Sequence, residues 1–144
     1  MVIGRRFVLY HKQSTSARTL FLRFPAGTIL APKALPFLSS PVESGGEESA
    51  ANLSQVHPAT LAKELASSLG LPESMLEIDP EFRELIEVTG GQVDAYLARF
   101  TCMDPPRERL AERGASFCAI TELRGGHPVE MELLRKAYQH VLGG

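Results

Sequence analysis

The strongest constraint on this chain's fold is the contrast between two helical stripes and the short β-forming runs around them. Leu61, Leu65 and Leu69 recur one turn apart, after a proline at 58 suited to a first helical turn and before a glycine at 70 suited to stop it. Leu134, Ala137, Tyr138 and Val141 make a second apolar face within residues 128–142. Each stripe needs a surface to cover, and much of the remaining apolar content comes in runs of strand length. The expectation is a single α/β domain over residues 1–144, an α/β/α sandwich with a mixed central sheet and the helices 58–70 and 128–142 packed on it.

Residues 6–11 and 19–24 are rich in β formers and flank a polar turn beginning at Gln13, so they read as a hairpin. Residues 27–30 and 35–38 are weaker strand candidates, interrupted by Pro32 and Pro36. Residues 81–88 and 92–102 flank Thr89, Gly90 and Gly91 as a second hairpin, the later strand alternating through Val93, Ala95 and Leu97. Asp104 is placed to cap a short helix that opens at Pro105 and Pro106 and closes at Gly114. A further strand is expected over 116–123.

On the first helix, Glu64, Ser67 and Ser68 stand at i, i+3 and i+4 and share a polar face. Residues 63–71 resemble the helix of the Nudix hydrolase box, whose pattern is Arg-Glu-apolar-any-Glu-Glu-any-Gly-apolar. Lys63 stands for the arginine, Glu64 for the first glutamate, and Leu65, Gly70 and Leu71 fit. Ser67 and Ser68 stand where the other two glutamates belong. Glu43, Gly45, Gly46, Glu47 and Glu48 resemble the second half of the stretch that precedes the helix, with Glu47 or Glu48 as its glutamate and several residues inserted before the helix. The order of strands, helix, strands and final helix is also that of the family.

The resemblance implies metal-dependent hydrolysis of a nucleoside diphosphate linked to another group, with carboxylates gathering magnesium or manganese. Exchanging two of them for neutral hydroxyls removes the hard anionic donors that magnesium prefers and the charge that steers phosphate chemistry. The expectation is therefore a Nudix-fold protein with a degenerate metal site that binds a nucleotide-like small molecule or a partner. Glu64, Glu47 and Glu48 are its candidate ligands, for no metal or a weakly bound Mg²⁺ or Mn²⁺. One alternative is a divergent active hydrolase that recruits loop carboxylates. A second is an unrelated small α/β interaction module.

Glu64 and Glu122 are the candidate catalytic carboxylates, Glu122 as a base beside the glycines at 125 and 126. Solvated surface carboxylates are the competing account of both. Lys63 is expected to pair with Glu47 or Glu48 and fasten the loop, and Gly70 to end the helix. A net charge of −2 offers no basic surface for nucleic acid, and no apolar run reaches the length of a membrane span, so the expected compartment is the cytoplasm. Cys102 and Cys118 read as core thiols, and the four histidines show no zinc spacing.

Overall fold

A computed structural model describes residues 2–13, 18–41, 57–123 and 125–143. Among these residues, seven strands form one mixed sheet: β1 (Val2–Lys12), β2 (Thr19–Arg23), β3 (Leu30–Ala31), β4 (Ser39–Pro41), β5 (Leu76–Val88), β6 (Gly91–Phe100) and β7 (Ser116–Cys118). Their order is β4-β5-β6-β1-β2-β7, and β3 pairs with β1. The β1–β6 pair is parallel, and the other pairings are antiparallel. Helices α1 (Pro58–Leu69), α2 (Arg107–Ala111) and α3 (Pro128–Gly143) complete the described elements, with three short 3₁₀ turns.

Strand alternation sorts the core into two halves. Phe7, Leu9, Tyr96, Ala98 and Phe100 join Leu61, Leu65 and Leu69 of α1 in one apolar cluster. Val8, Tyr10, Val93, Ala95 and Leu97 join Leu133, Leu134, Ala137 and Val141 of α3 in the other. Odd and even residues of β1 thus serve opposite helices, which is the α/β/α layering expected from the two stripes. Each fully buried leucine contributes about 1.5–3 kcal/mol by leaving water, which is ample to hold α1 to the sheet.

Several elements differ from the sequence reading. Asp104 does not cap α2: the helix begins at Arg107 behind Pro106, with no side-chain cap. Consecutive prolines hold the residues before them extended, which moves the start beyond reach of Asp104. The strand expected over 116–123 ends at Cys118, because the Glu122 carboxylate accepts the Ala119 N–H (2.8 Å) and folds Ile120–Glu122 into a 3₁₀ turn. The runs at 27–30 and 35–38 give way to two very short strands, β3 and β4. There the Leu35 N–H donates not to a ladder but to Glu130 (3.1 Å). Strand β5 begins well before the expected residue 81 and changes register between Ile78 and Arg83, where Pro80 cannot donate to the ladder.

Glu130 is the other determinant of this end of the molecule. It lies in the first turn of α3 and is 2 % exposed. Its Oε1 accepts from Thr28 Oγ1 (2.7 Å) and the Ile29 N–H (3.3 Å), and its Oε2 from Leu35. His127 adds a second fastening. Its Nδ1 accepts the Val129 N–H (3.1 Å), so the proton of the neutral ring sits on Nε2 and donates to the Pro36 carbonyl (3.0 Å). The start of α3 therefore fixes the segment from Thr28 to Pro36.

Candidate functional site

Beside β1, the ladder with β3 begins only at Phe7, so on that edge, opposite β6, the strand's first residues face an opening. A cleft of about 600 Å³ lies there, walled by Gly4, Arg5 and Arg6 of β1, Glu64, Leu65 and Ser68 of α1, and the Pro32–Lys33 segment after β3. Val88, Thr89 and Val93 of the β5–β6 hairpin close its far side. Among the described residues, Arg5, Arg6 and Lys33 bring three cations to the lining against the one carboxylate of Glu64.

Arg5 points toward α1, as Phe7 and Leu9 do, and its Nη1 donates to Glu64 Oε1 at 2.8 Å. Both side chains are substantially exposed (34 % and 48 %), so the pair adds only about 0–1 kcal/mol. Its importance is chemical: the carboxylate singled out as a metal ligand already has a cation against it. Arg6 lies on the opposite side of the strand and is 5 % exposed. Its Nη1 donates to the Arg5 carbonyl (3.0 Å), while Nε is buried and has no partner. The guanidinium turns back beside Gly4, where a Cβ would come within 3.3 Å of Nη1. Burial pushes the Arg6 pKa down, and the Glu130 carboxylate partly opposes this.

Across the parallel ladder, Arg5 is the Cα neighbour of Asp94, which is 3 % exposed. Asp94 Oδ2 accepts from Arg83 Nη2 (2.8 Å) and from the Tyr96 hydroxyl (3.2 Å). Its Oδ1 and the Arg83 Nε are buried without partners. Arg83 also stands over the Tyr96 ring, whose other neighbour is the stacked ring of Phe7. Glu64, Arg5, Asp94 and Arg83 therefore alternate in sign across this side of the sheet.

Burial first, and then the negative charge of Asp94, raises the Tyr96 pKa above the ordinary value of 10.0. The folded chain therefore holds this proton more tightly than the unfolded one. The resulting stability is fully present below pH 10.0 and is lost as pH rises through the folded pKa. Tyr10, raised mainly by burial, acts in the same direction. Urea unfolding between about pH 9 and 11 should show a steep loss of stability that is shallower in Tyr96→Phe. An unchanged slope in that variant would show that Tyr96 titrates as freely in the folded chain as in the unfolded one.

Glu64 lines the cleft. Ser67 and Ser68 are exposed beside it, Ser68 facing the cleft while its hydroxyl donates to the Leu65 carbonyl (2.9 Å). Gly70 ends α1 at φ +67°, returning its N–H to the carbonyls of Ala66 and Ser67. The atom nearest a Cβ at Gly70 would be Arg113 Nη2, the end of a flexible side chain, so it is the left-handed backbone that calls for glycine. Lys63 is exposed, and its expected partners Glu47 and Glu48 lie outside the described residues. Glu122 is not brought to Glu64: it caps its own 3₁₀ turn and is absent from the cleft lining. Among the described residues, no cluster of three or more His, Cys, Asp or Glu could hold a metal ion. With Glu64 on Arg5, Ser68 on Leu65 and Asp94 on Arg83, the described donors do not fit a divalent cation. Cys102 and Cys118 are free thiols, half-buried and buried respectively. No described helix is long and apolar enough to cross a membrane.

Arg5, Arg6, Lys33, Arg83 and Asp94 escaped sequence reasoning. Asp94 did leave a signal, as a lone carboxylate inside the apolar run of Val93, Ala95 and Leu97.

No family model matches the chain, and no curated protein matches it. Among solved structures, the chain is similar to the Ap4A hydrolase of C. elegans, with a TM-score of 0.53 and 20 % identity over 99 % of each chain. The likeness concerns the fold, which is Nudix-like: a mixed, curled sheet between helices.

Proposed function

We propose that this Nudix-fold protein has a degenerate metal site, little or no pyrophosphohydrolase activity, and a role in binding a nucleotide-like small molecule in the cleft beside β1. The observation that carries this reading is the contact between Arg5 and Glu64 at 2.8 Å. A metal entering there must displace a guanidinium from the carboxylate of Glu64 and then find hydroxyls at 67 and 68 in place of anionic donors. The cation excess of the described lining suits a phosphate-bearing ligand without a metal's help. The fold shared with an Ap4A hydrolase supports a ligand of the nucleotide class.

That same likeness to a hydrolase favours a second reading, in which carboxylates from residues 42–56 complete a working metal site around Glu64. Turnover of a panel of nucleoside diphosphate derivatives in millimolar Mg²⁺ or Mn²⁺ separates the two. The expected result is little or no hydrolysis. Restoring the pattern with Ser67→Glu and Ser68→Glu, together with Arg5→Gln to free Glu64, should tighten Mn²⁺ binding at least about tenfold by calorimetry. Robust turnover by the parent that vanishes in Glu64→Gln would overturn the degenerate reading and establish the active one.

A further inference from the structure

Among the described residues, Arg6 is a buried cation without an ion-pair partner. It is 5 % exposed, its buried Nε has no partner, and its hydrogen bond goes to a neutral carbonyl. Among the described residues no carboxylate stands within ion-pair distance of it. The nearby acid, Glu130, is committed to Thr28, Ile29 and Leu35. Burying a guanidinium without an anion is costly, yet Gly4 provides the room for this one to lie against the cleft wall. Lys33 lines the same cleft and is exposed. The segment that carries Lys33 is fixed by Glu130 and His127.

We infer that Arg6 and Lys33 form a metal-independent receptor for a phosphate or diphosphate group, in which the anion supplies a counter-charge that no described residue gives Arg6. The inference rests on the ligand-binding reading above and specifies how the ligand's charge is met. Guanidinium and ammonium take the part that a divalent cation plays in metal-dependent phosphate sites. The geometry suits this division: Arg6 offers a planar fork from a buried wall, and Lys33 a mobile point charge from the rim. Arg5 is left to hold Glu64, which would otherwise repel the incoming anion.

The test is calorimetric titration of inorganic pyrophosphate into the full chain at low salt with excess chelator. In parallel, the Arg6 Nε–H is followed by NMR. Binding is expected to persist in chelator, to weaken as salt rises, and to shift the Arg6 Nε–H resonance. Lys33→Gln, an exposed change, should weaken binding about tenfold, and Arg6→Gln more than that. Arg6→Lys, which keeps the charge but not the fork, should fall between parent and Arg6→Gln. If Arg6→Gln does not fold, Lys33→Gln and the Arg6 resonance decide. Pyrophosphate binding that needs added Mg²⁺, or that ignores Lys33→Gln and leaves the Arg6 resonance in place, would overturn the assignment, as would no binding at all. Mg²⁺-dependent turnover by the parent would overturn the proposed loss of activity. It would leave this receptor standing wherever the chelator arm shows binding through Arg6.

Discussion

Glu130→Ala is expected to destabilise the chain by about 3–5 kcal/mol, a large share of the total stability of a domain this size. The carboxylate is 2 % exposed and accepts from one hydroxyl and two backbone N–H groups. Alanine leaves the Ile29 and Leu35 amides buried without an acceptor and opens a void at the start of α3. Glu130→Gln should cost less but remain harmful. Its amide oxygen can serve Thr28 and Ile29, whereas its NH₂ would face the Leu35 N–H donor to donor. Equilibrium unfolding in urea measures both. Because the segment held by Glu130 carries Lys33 and Pro36 into the cleft wall, pyrophosphate affinity should fall along with stability. A loss below about 1 kcal/mol in Glu130→Ala would mean that water replaces the carboxylate at Ile29 and Leu35, and that the segment is held by its own contacts.

Glu130 also shows where sequence reading reaches its limit. A glutamate in the first turn of a helix reads as an ordinary dipole partner, exposed on the polar face. Its burial follows from the loop that returns over it, and that return is set by contacts about a hundred residues apart in the chain, such as Glu130 with Thr28 (a separation of 102). The two helical stripes were legible because their signal is local and repeats every turn. The 81–88 and 92–102 hairpin was legible because Gly90 and Gly91 mark its turn and the alternation beyond it is regular. By contrast, the parallel pairing of β1 with β6 has no local mark. It joins two strands separated in the chain by β2, β3, β4, α1 and β5, and it places Arg5 beside Asp94.

The site was legible in the same uneven way. Glu64 and the two serines could be found because their spacing on one helix is a sequence property. Arg5 and Arg6, adjacent near the chain start, look like a solvated pair of charges. The pleat of β1 separates them, one toward the α1 side and one toward the α3 side, and the early end of β3 leaves both beside the cleft. Glu122 failed to join for a local reason, since a carboxylate three residues beyond an unpaired N–H folds back to cap it.

Removing Arg83 should expose the strain in the charge row. Arg83→Leu leaves Asp94, 3 % exposed, with only the Tyr96 hydroxyl on its carboxylate. Breaking a buried pair from one side costs about 3–5 kcal/mol, because the charge left behind keeps its desolvation penalty. The double variant Arg83→Leu/Asp94→Leu removes that penalty and should recover most of the loss, so the pair should show strong coupling in a double-mutant cycle. The single variant carries a second consequence for the cleft. Asp94 then competes with Glu64 for the guanidinium of its ladder neighbour Arg5. Each share of Arg5 drawn toward Asp94 frees Glu64. Mn²⁺ should therefore bind Arg83→Leu more tightly than the parent, while the double variant returns to the parent's affinity. If Mn²⁺ affinity is the same in all three, Arg5 is not shared between the two carboxylates, and the Arg5–Glu64 contact stands independently of Asp94.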